Sequence, residues 1–333
     1  MNSYDFRGAL GGGSCNLAHP PVMVSSRRRA VIDVGTNSVK VLLADVFGST
    51  VEPVWETSEQ TRLGAGFYDD HRLQAGSIAA TADAVARFNR EARNRGAESV
   101  RVLATSAARE AVNAAELLGA IRTASGLETE VIGGDMEAEL GFRGVTSHPL
   151  FGRGRMLVLD VGGGSTEFMF GVAGRLEFRH SFPIGSVRLF EKLRPSDPPG
   201  VDGLHAVDDW LRAWLQSEVT PLLDPLFAVA GYPELAVGIG GTTSILALIH
   251  HARHDFDRNL IERTLFQAGE FHALVRQLWS LPLADRRTLP GLPPERADVI
   301  LTGAAIYSAV LMAYRIPQLA ASTRGLRFAA LME

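Results

Sequence analysis

The sequence predicts an α/β protein of two similar lobes facing each other across a cleft, and three observations carry that prediction. Apolar strand-like runs alternate with stretches of helical spacing along most of the chain. A strand that ends on an aspartate and runs into a turn of small residues occurs once in each half. At 333 residues the chain also exceeds the length at which one hydrophobic core usually keeps growing, so two domains are expected.

Taken in order, residues 1–28 carry Gly11, Gly12, Gly13, Pro20 and Pro21 and end near Arg27-Arg28-Arg29. Their positive charge follows a weakly apolar stretch, the reverse of a signal peptide, so they read as a loose leader. Ala30-Val31-Ile32-Asp33-Val34-Gly35 and the apolar run 39–46 form a hairpin around the polar turn Gly35-Thr36-Asn37-Ser38. Over 77–95, Ile78, Ala82, Val85, Ala86 and Phe88 recur at helical spacing, with Gly96 as the stop. Residues 100–104 read as a buried strand, 107–125 as a helical stretch and 130–132 as a short strand.

The pattern then restarts. Residues 156–161 form a strand, Gly162-Gly163-Gly164-Ser165 a turn, and 166–171 the returning strand. Later, 236–239 is a strand running into a third small-residue turn, Gly240-Gly241-Thr242, before a helix at 244–252. Turn-prone Ser147-His148-Pro149 and Gly152-Arg153-Gly154 mark the boundary between halves. The expected organisation is a leader 1–28, a first domain 29–145 that the C-terminal segment 313–333 can complete, and a second domain 146–312.

Composition narrows the function. With 46% hydrophobic and 21% charged residues the chain is an ordinary globular protein able to build substantial cores. A formal net charge of -4 gives no broad attraction to nucleic acid, so any polyanion must be gripped locally. Cys15 is the only cysteine, which rules out an intrachain disulfide and makes a cytoplasmic home the expectation. No apolar run approaches the ~18 residues of a membrane span. The assembly state is open, with a homodimer as the prior for an enzyme of this size.

Small residues where a strand meets a turn let backbone amides approach an anion closely, and Ser and Thr hydroxyls add donors. Three such junctions end apolar strands here. Asp33 and Asp160 stand where buried strands should emerge, and Glu167 lies across the second turn on the returning strand. Burying several carboxylates without compensation costs several kcal/mol per ion, so their convergence implies a divalent cation or basic partners. Mg2+ suits hard oxygen ligands and phosphate.

These residues resemble a known family. Ile32-Asp33-Val34-Gly35-Thr36-Asn37-Ser38 and Leu159-Asp160-Val161-Gly162-Gly163-Gly164-Ser165-Thr166-Glu167 are similar to the two phosphate motifs of the exopolyphosphatase and guanosine pentaphosphate phosphohydrolase (Ppx/GppA) family. The likeness continues through residues 104–111, 133–140, Gly240-Gly241-Thr242, Pro290-Gly291-Leu292 with Arg296-Ala297-Asp298, and 322–327. The resemblance implies a two-domain actin-like ATPase (ribonuclease-H-like) fold that encloses a phosphate chain. It implies that Glu137, in Gly134-Asp135-Met136-Glu137-Ala138, activates the attacking water, and that Arg109 contacts phosphate. Asp135 and Glu139 are then neighbours of the base. Lys40 is a further contact whose direction strand alternation leaves open. After Gly325-Leu326-Arg327 the sequence departs from the family pattern with Phe328-Ala329, and a short, two-domain form is expected.

The implied reaction is metal-assisted in-line hydrolysis of the terminal phosphate of inorganic polyphosphate or guanosine pentaphosphate. The rivals are an actin-fold kinase for a small molecule, and a catalytically weak guanosine-polyphosphate-binding protein. His250, His251 and His254 with Asp255 and Asp257 lack a remote ligand and read as a helix end. Trp210 and Trp214 read as a core-facing stripe.

Overall fold

Two mixed sheets with one shared strand order organise residues 26–333, the part of the chain that this computed structural model describes. The first holds β1 (Arg27–Val34), β2 (Val39–Phe47) and β3 (Thr50–Glu59), then, after α1 (Ala75–Asn94), β4 (Ser99–Ala104). α2 (Ser106–Glu110) and α3 (Ala114–Ser125) lead to β5 (Thr129–Val131), and α4 (Gly134–Thr146) passes between the sheets. The second sheet begins with β6 (Arg155–Val161), β7 (Thr166–Val172) and β8 (Arg175–Phe182). Helices α5 (Ser186–Leu193), α6 (Gly200–Trp214) and α7 (Thr220–Ala230) precede β9 (Leu235–Ile239) and α8 (Gly240–His250). The chain continues through α9 (Arg258–Glu262), β10 (Leu265–Gln267), α10 (Ala268–Ser280), α11 (Leu283–Arg286) and α12 (Ile300–Ala313). It ends with β11 (Gln318–Ala321) and α13 (Leu326–Leu331).

The sheet orders are β3-β2-β1-β4-β5 and β10-β11-β9-β6-β7-β8. In both, an antiparallel three-strand meander carries two parallel strands on the far side of its first member, and β11 takes the place that β5 has in the first sheet. Central strands are buried on both faces, which explains their unbroken apolar runs. On β1, Ile32 and Val34 pack toward Ile78, Val85 and Leu117 of α1 and α3, while Val31 packs toward Leu326 and Leu331 of α13. On β6, Leu159 and Val161 join the core around α12, and Met156 and Val158 meet Ala138, Phe142 and Val145 of α4. Helix α12 is buried from Ile300 through Leu311, as its all-round apolar sequence requires.

Several elements differ from the sequence reading. The outer strands β3 and β8 are absent from it because their exposed faces interleave charge, as at Glu52, Glu59, Glu177 and Arg179, and blur the apolar run. The expected helix 107–125 breaks at 111–113, where the Asn113 side chain accepts from Leu73 N (2.9 Å) and donates to Leu73 O (3.1 Å). Gly240-Gly241-Thr242 is no turn; it is the first turn of α8. Of the C-terminal segment, α13 packs on the first sheet, but β11 joins the second. Helix α4 lies before the expected boundary yet buries Phe142 and Val145 against the second sheet. Cys15 and most of the expected leader lie outside the described residues, and Arg27 and Arg28 already pair with Val46 and Asp45 in β1.

α4 and α13 touch through glycines. A Cβ at Gly144 would stand 2.3 Å from Gly325 O, a clash with backbone that cannot rotate away. Gly144→Ala should therefore lower stability by about 1–3 kcal/mol, the usual range for overpacking, despite the better helix propensity of alanine. Urea unfolding checks this; an unchanged or higher midpoint would contradict the close approach.

Candidate active site

The two hairpin turns face each other, and in both the middle carbonyls are occupied from outside while the last closes the turn on itself. In turn 35–38, Thr36 O accepts from Gly64 N (2.7 Å), Asn37 O from Arg62 N (3.0 Å) and Ser38 O from Gly35 N (3.1 Å). In turn 162–165, Gly162 O accepts from Ser186 N (2.8 Å), and Gly163 O from Val187 N (2.9 Å) and Arg188 N (3.1 Å). Gly164 O accepts from Arg188 Nε (2.8 Å), and Ser165 O from Gly162 N (3.0 Å). The amides of residues 36–38 and 163–165 donate to no protein acceptor among the described residues. Unpaired amides clustered at a turn make an anion cradle. Glycine is required at the meeting point, since a Cβ on Gly163 would lie 2.9 Å from Thr36 Cβ.

Helix α8 closes a third side. Gly240 adopts φ +81, and a Cβ there would stand 2.3 Å from Asp160 Oδ1. Thr242 donates to Val161 O (2.7 Å), tying the helix start to the end of β6.

Two cross-strand pairs point into the cleft. The register sets Asp33 opposite Lys40 and Asp160 opposite Glu167, and directly opposed residues share a face of the sheet. That settles the direction of Lys40, whose Nζ lies 3.5 Å from Asp33 Oδ2. Glu167 accepts from Ser181 Oγ (2.6 Å). Glu137, in the first turn of α4, pairs with Arg109 at 3.2 Å, and Arg109 also donates to Ile132 O (3.0 Å).

A cavity of ≈ 50 Å³ brings together Asp33, residues 35–38, Lys40, Glu137, Asp160, residues 162–165, Gly241 and Thr242. Three expected site residues are not on its wall. Arg109 pairs with Glu137 from a separate pocket that it lines with Gly134 and Ser181, Glu167 lies on β7 beside Asp160, and Gly240 lines an adjoining cavity of ≈ 520 Å³. Ser38, Lys40, Gly241 and Arg296 belong to both cavities and mark the passage between them.

The sequence reading missed Thr105, Ser106 and Arg296 as wall residues. All three sat within segments already singled out by resemblance. Arg296 is 4% exposed, donates to Thr242 Oγ1 at 3.4 Å and leaves its Nε without a partner among the described residues. Burial pulls its guanidinium down to about 10. His251 meets Thr264 Oγ1 at 3.0 Å, and Trp214 packs on Phe168 and Phe182 in the core.

Burial, then the neighbouring carboxylates, shifts the acids upward. Burial raises Asp160 to about 6 against the opposing pull of Lys40. Burial and the charge of Asp160 raise Glu167 to about 7. Glu137 stands well above the usual carboxylate range through burial and Glu167, with Arg109 opposing. Among the described residues, no three His, Cys, Asp or Glu side chains enclose an ion by themselves. The charge excess nevertheless fits a cation whose remaining ligands are water and substrate oxygens, the usual state of Mg2+ beside phosphates.

Two lobes of matching topology, with opposed amide turns and acids in the cleft, define an actin-like protein built to handle an oxyanion. The chain matches the Ppx/GppA phosphatase family over residues 41–333 and belongs to it. Exopolyphosphatase 1 of Mycobacterium tuberculosis is 31% identical over 290 residues, covering 87% of this chain and 83% of that protein. Exopolyphosphatase 2 of the same organism is 32% identical over 293 residues, covering 84% and 88%. Among solved structures, an exopolyphosphatase from Cytophaga hutchinsonii superposes with TM-score 0.82 at 26% identity, covering 92% of this chain and 96% of that one. An Aquifex aeolicus family member gives 0.73 at 28% identity, covering 92% and 97%.

The raised acids fix a pH dependence. The folded state binds the protons of Asp160 and Glu167 more tightly than the unfolded chain, so their contribution is full at low pH and lost as pH rises through the window from about 4 to about 7. In chelator, Tm should fall across the upper part of that window, and Glu167→Gln should flatten the fall. A slope identical in native protein and variant would refute the buried-acid account.

Proposed function

We propose that this chain is an exopolyphosphatase, releasing terminal phosphate from inorganic polyphosphate by in-line attack of water. One observation carries the reading: two rows of unpaired amides and the carboxylate of Glu137 share a cavity of ≈ 50 Å³ that opens into a larger one. The terminal phosphate rests on the amides of residues 36–38 and 163–165 and on the start of α8. Asp33 and Asp160, with Glu167 adjoining, are the residues that would hold Mg2+, which neutralises phosphate oxygens when bound. Glu137 takes the proton from water, and Arg109 orients it. The raised proton affinity of Glu137 suits a group that must take a proton from water. Lys40 and Arg296 grip the following phosphates at the passage.

Guanosine pentaphosphate is the second reading, favoured by the apolar walls of the larger cavity at Ile245, Leu248, Leu289 and Leu292. Its terminal phosphate would use the same cradle. A kinase would need an acceptor, and a receptor for guanosine polyphosphates would need no base. No helix among the described residues is long and apolar enough to cross a membrane.

Phosphate release from polyphosphates of several lengths, guanosine pentaphosphate and ATP, with and without Mg2+, separates these readings. Glu137→Gln should reduce kcat by ~10²- to 10⁴-fold, the range for a positioned base, with Tm retained. In the native enzyme kcat/KM should rise with pH as the base deprotonates, and the variant should lose that limb. Near-native turnover in the variant removes Glu137 from the role. Release only in the presence of a hydroxyl or carboxylate acceptor would favour the kinase.

A further inference from the structure

The first turn of α5 is spent on holding the phosphate turn of the second lobe. Ser186, Val187 and Arg188 give their amides to Gly162 O and Gly163 O, and the Arg188 side chain donates Nε to Gly164 O at 2.8 Å. In a trans peptide the amide points opposite to the carbonyl. Fixing Gly164 O behind the turn therefore aims the Ser165 amide away from Arg188, toward the cleft. The contact is close: a Cβ at Gly185 would lie 2.5 Å from the Gly163 carbonyl carbon.

The same guanidinium reaches the other lobe. Arg188 Nη2 meets both carboxylate oxygens of Glu110, at 2.7 and 2.6 Å, and its plane lies 4.2 Å from the centre of the Tyr68 ring. Glu110 is in turn held by Ser106 Oγ at 2.9 Å. The neighbour of Glu110 on α2 is Arg109, the partner of Glu137. On the first-lobe side, Ser106 Oγ, Tyr68 Oη and Thr36 Oγ1 all stand within 2.9 Å of the place a Gly164 Cβ would occupy. Tyr68 Oη is buried there without a partner among the described residues.

We propose that Arg188 is a positioning residue that presents the 163–165 amides to phosphate and, through Glu110, sets the spacing between this cradle and Glu137. The proposal rests on the reading that turn 162–165 binds phosphate. A planar fork satisfies Glu110 and the Gly164 carbonyl at once, which an ammonium on a flexible stem cannot. Arg188 itself touches no reacting atom.

The test compares Arg188→Lys and Glu110→Gln with the native enzyme in KM for polyphosphate, competitive Ki for orthophosphate, kcat, pH profile and Tm. Arg188→Lys should raise KM and the orthophosphate Ki together by about tenfold or more, as expected for losing a charged hydrogen bond. The acid limb of the pH profile should stay in place because Glu137 sets it. Glu110→Gln should shift both constants in the same direction by less. A fall in Tm with KM and Ki unchanged in both variants makes the pair structural only and overturns the proposal. So does a loss of kcat with orthophosphate affinity intact. Failure of the underlying site reading appears elsewhere, as phosphate release retained by Glu137→Gln.

Discussion

Everything in the cleft depends on two backbone turns approaching to contact distance with their amides facing each other. Like dipoles repel, so such an arrangement holds only if the carbonyl ends are fixed from behind. The protein does this with residues 62–64 on one side and the first turn of α5 on the other. Glycine at 163 and 164 is then a steric necessity, because any Cβ would strike Thr36, Ser106 or Tyr68. A cradle made this way has a net affinity for anions before any charged side chain is counted.

The second lobe adds a buried hub that keeps the end of β6 and the start of α8 in register. Tyr307 on α12 reaches the place where β6 and β9 diverge. Its hydroxyl lies 3.0 Å from Leu159 O and 3.2 Å from Ile239 O, and it accepts from Thr243 Oγ1 at 2.5 Å. The carbonyls that flank Asp160 and Gly240 are therefore tied to one atom. Where parallel strands part, their backbone groups lose ladder partners, and a buried group without a partner is costly. Tyr307 removes that cost at the position from which Asp160 and α8 emerge.

Much of this was legible in the sequence, for identifiable reasons. Turns 35–38 and 162–165 announce themselves because small residues follow unbroken apolar strands, and the acids at their ends cannot be ordinary core residues. The direction of Lys40, which strand alternation left open, comes only from the register, where it occupies the position that Glu167 holds in the second lobe. Other features were not local. Nothing in Pro294-Glu295-Arg296 says that Arg296 will be buried; that follows from α8 and the first lobe closing over it. The role of Gly240-Gly241-Thr242 depends on whether a helix starts at once or after a turn, which spacing alone leaves undecided. The placement of β11 in the second sheet and α13 on the first is a decision between two surfaces, and no residue pattern states it.

The exchange of Lys40 for Glu167 between the two hairpins gives the cleft a direction. Asp33, Glu137 and Asp160 line the narrow cavity, with Glu167 adjoining; Lys40 and Arg296 line both cavities, and the wide one adds Arg287 and Arg327 against a single carboxylate, Glu56, which pairs with Arg327. A chain of phosphates is repelled by bare acids and attracted by the wide end, so on the proposed reading it enters end-first. On the same reading the narrow cavity, ≈ 50 Å³, takes the terminal group and the wide one, ≈ 520 Å³, the phosphates behind it. The terminal group then meets Glu137, and a cation, when bound, would offset the carboxylates around it. On the proposed reading, the polarity of the cleft is one consequence of an asymmetric charge placement on a duplicated fold.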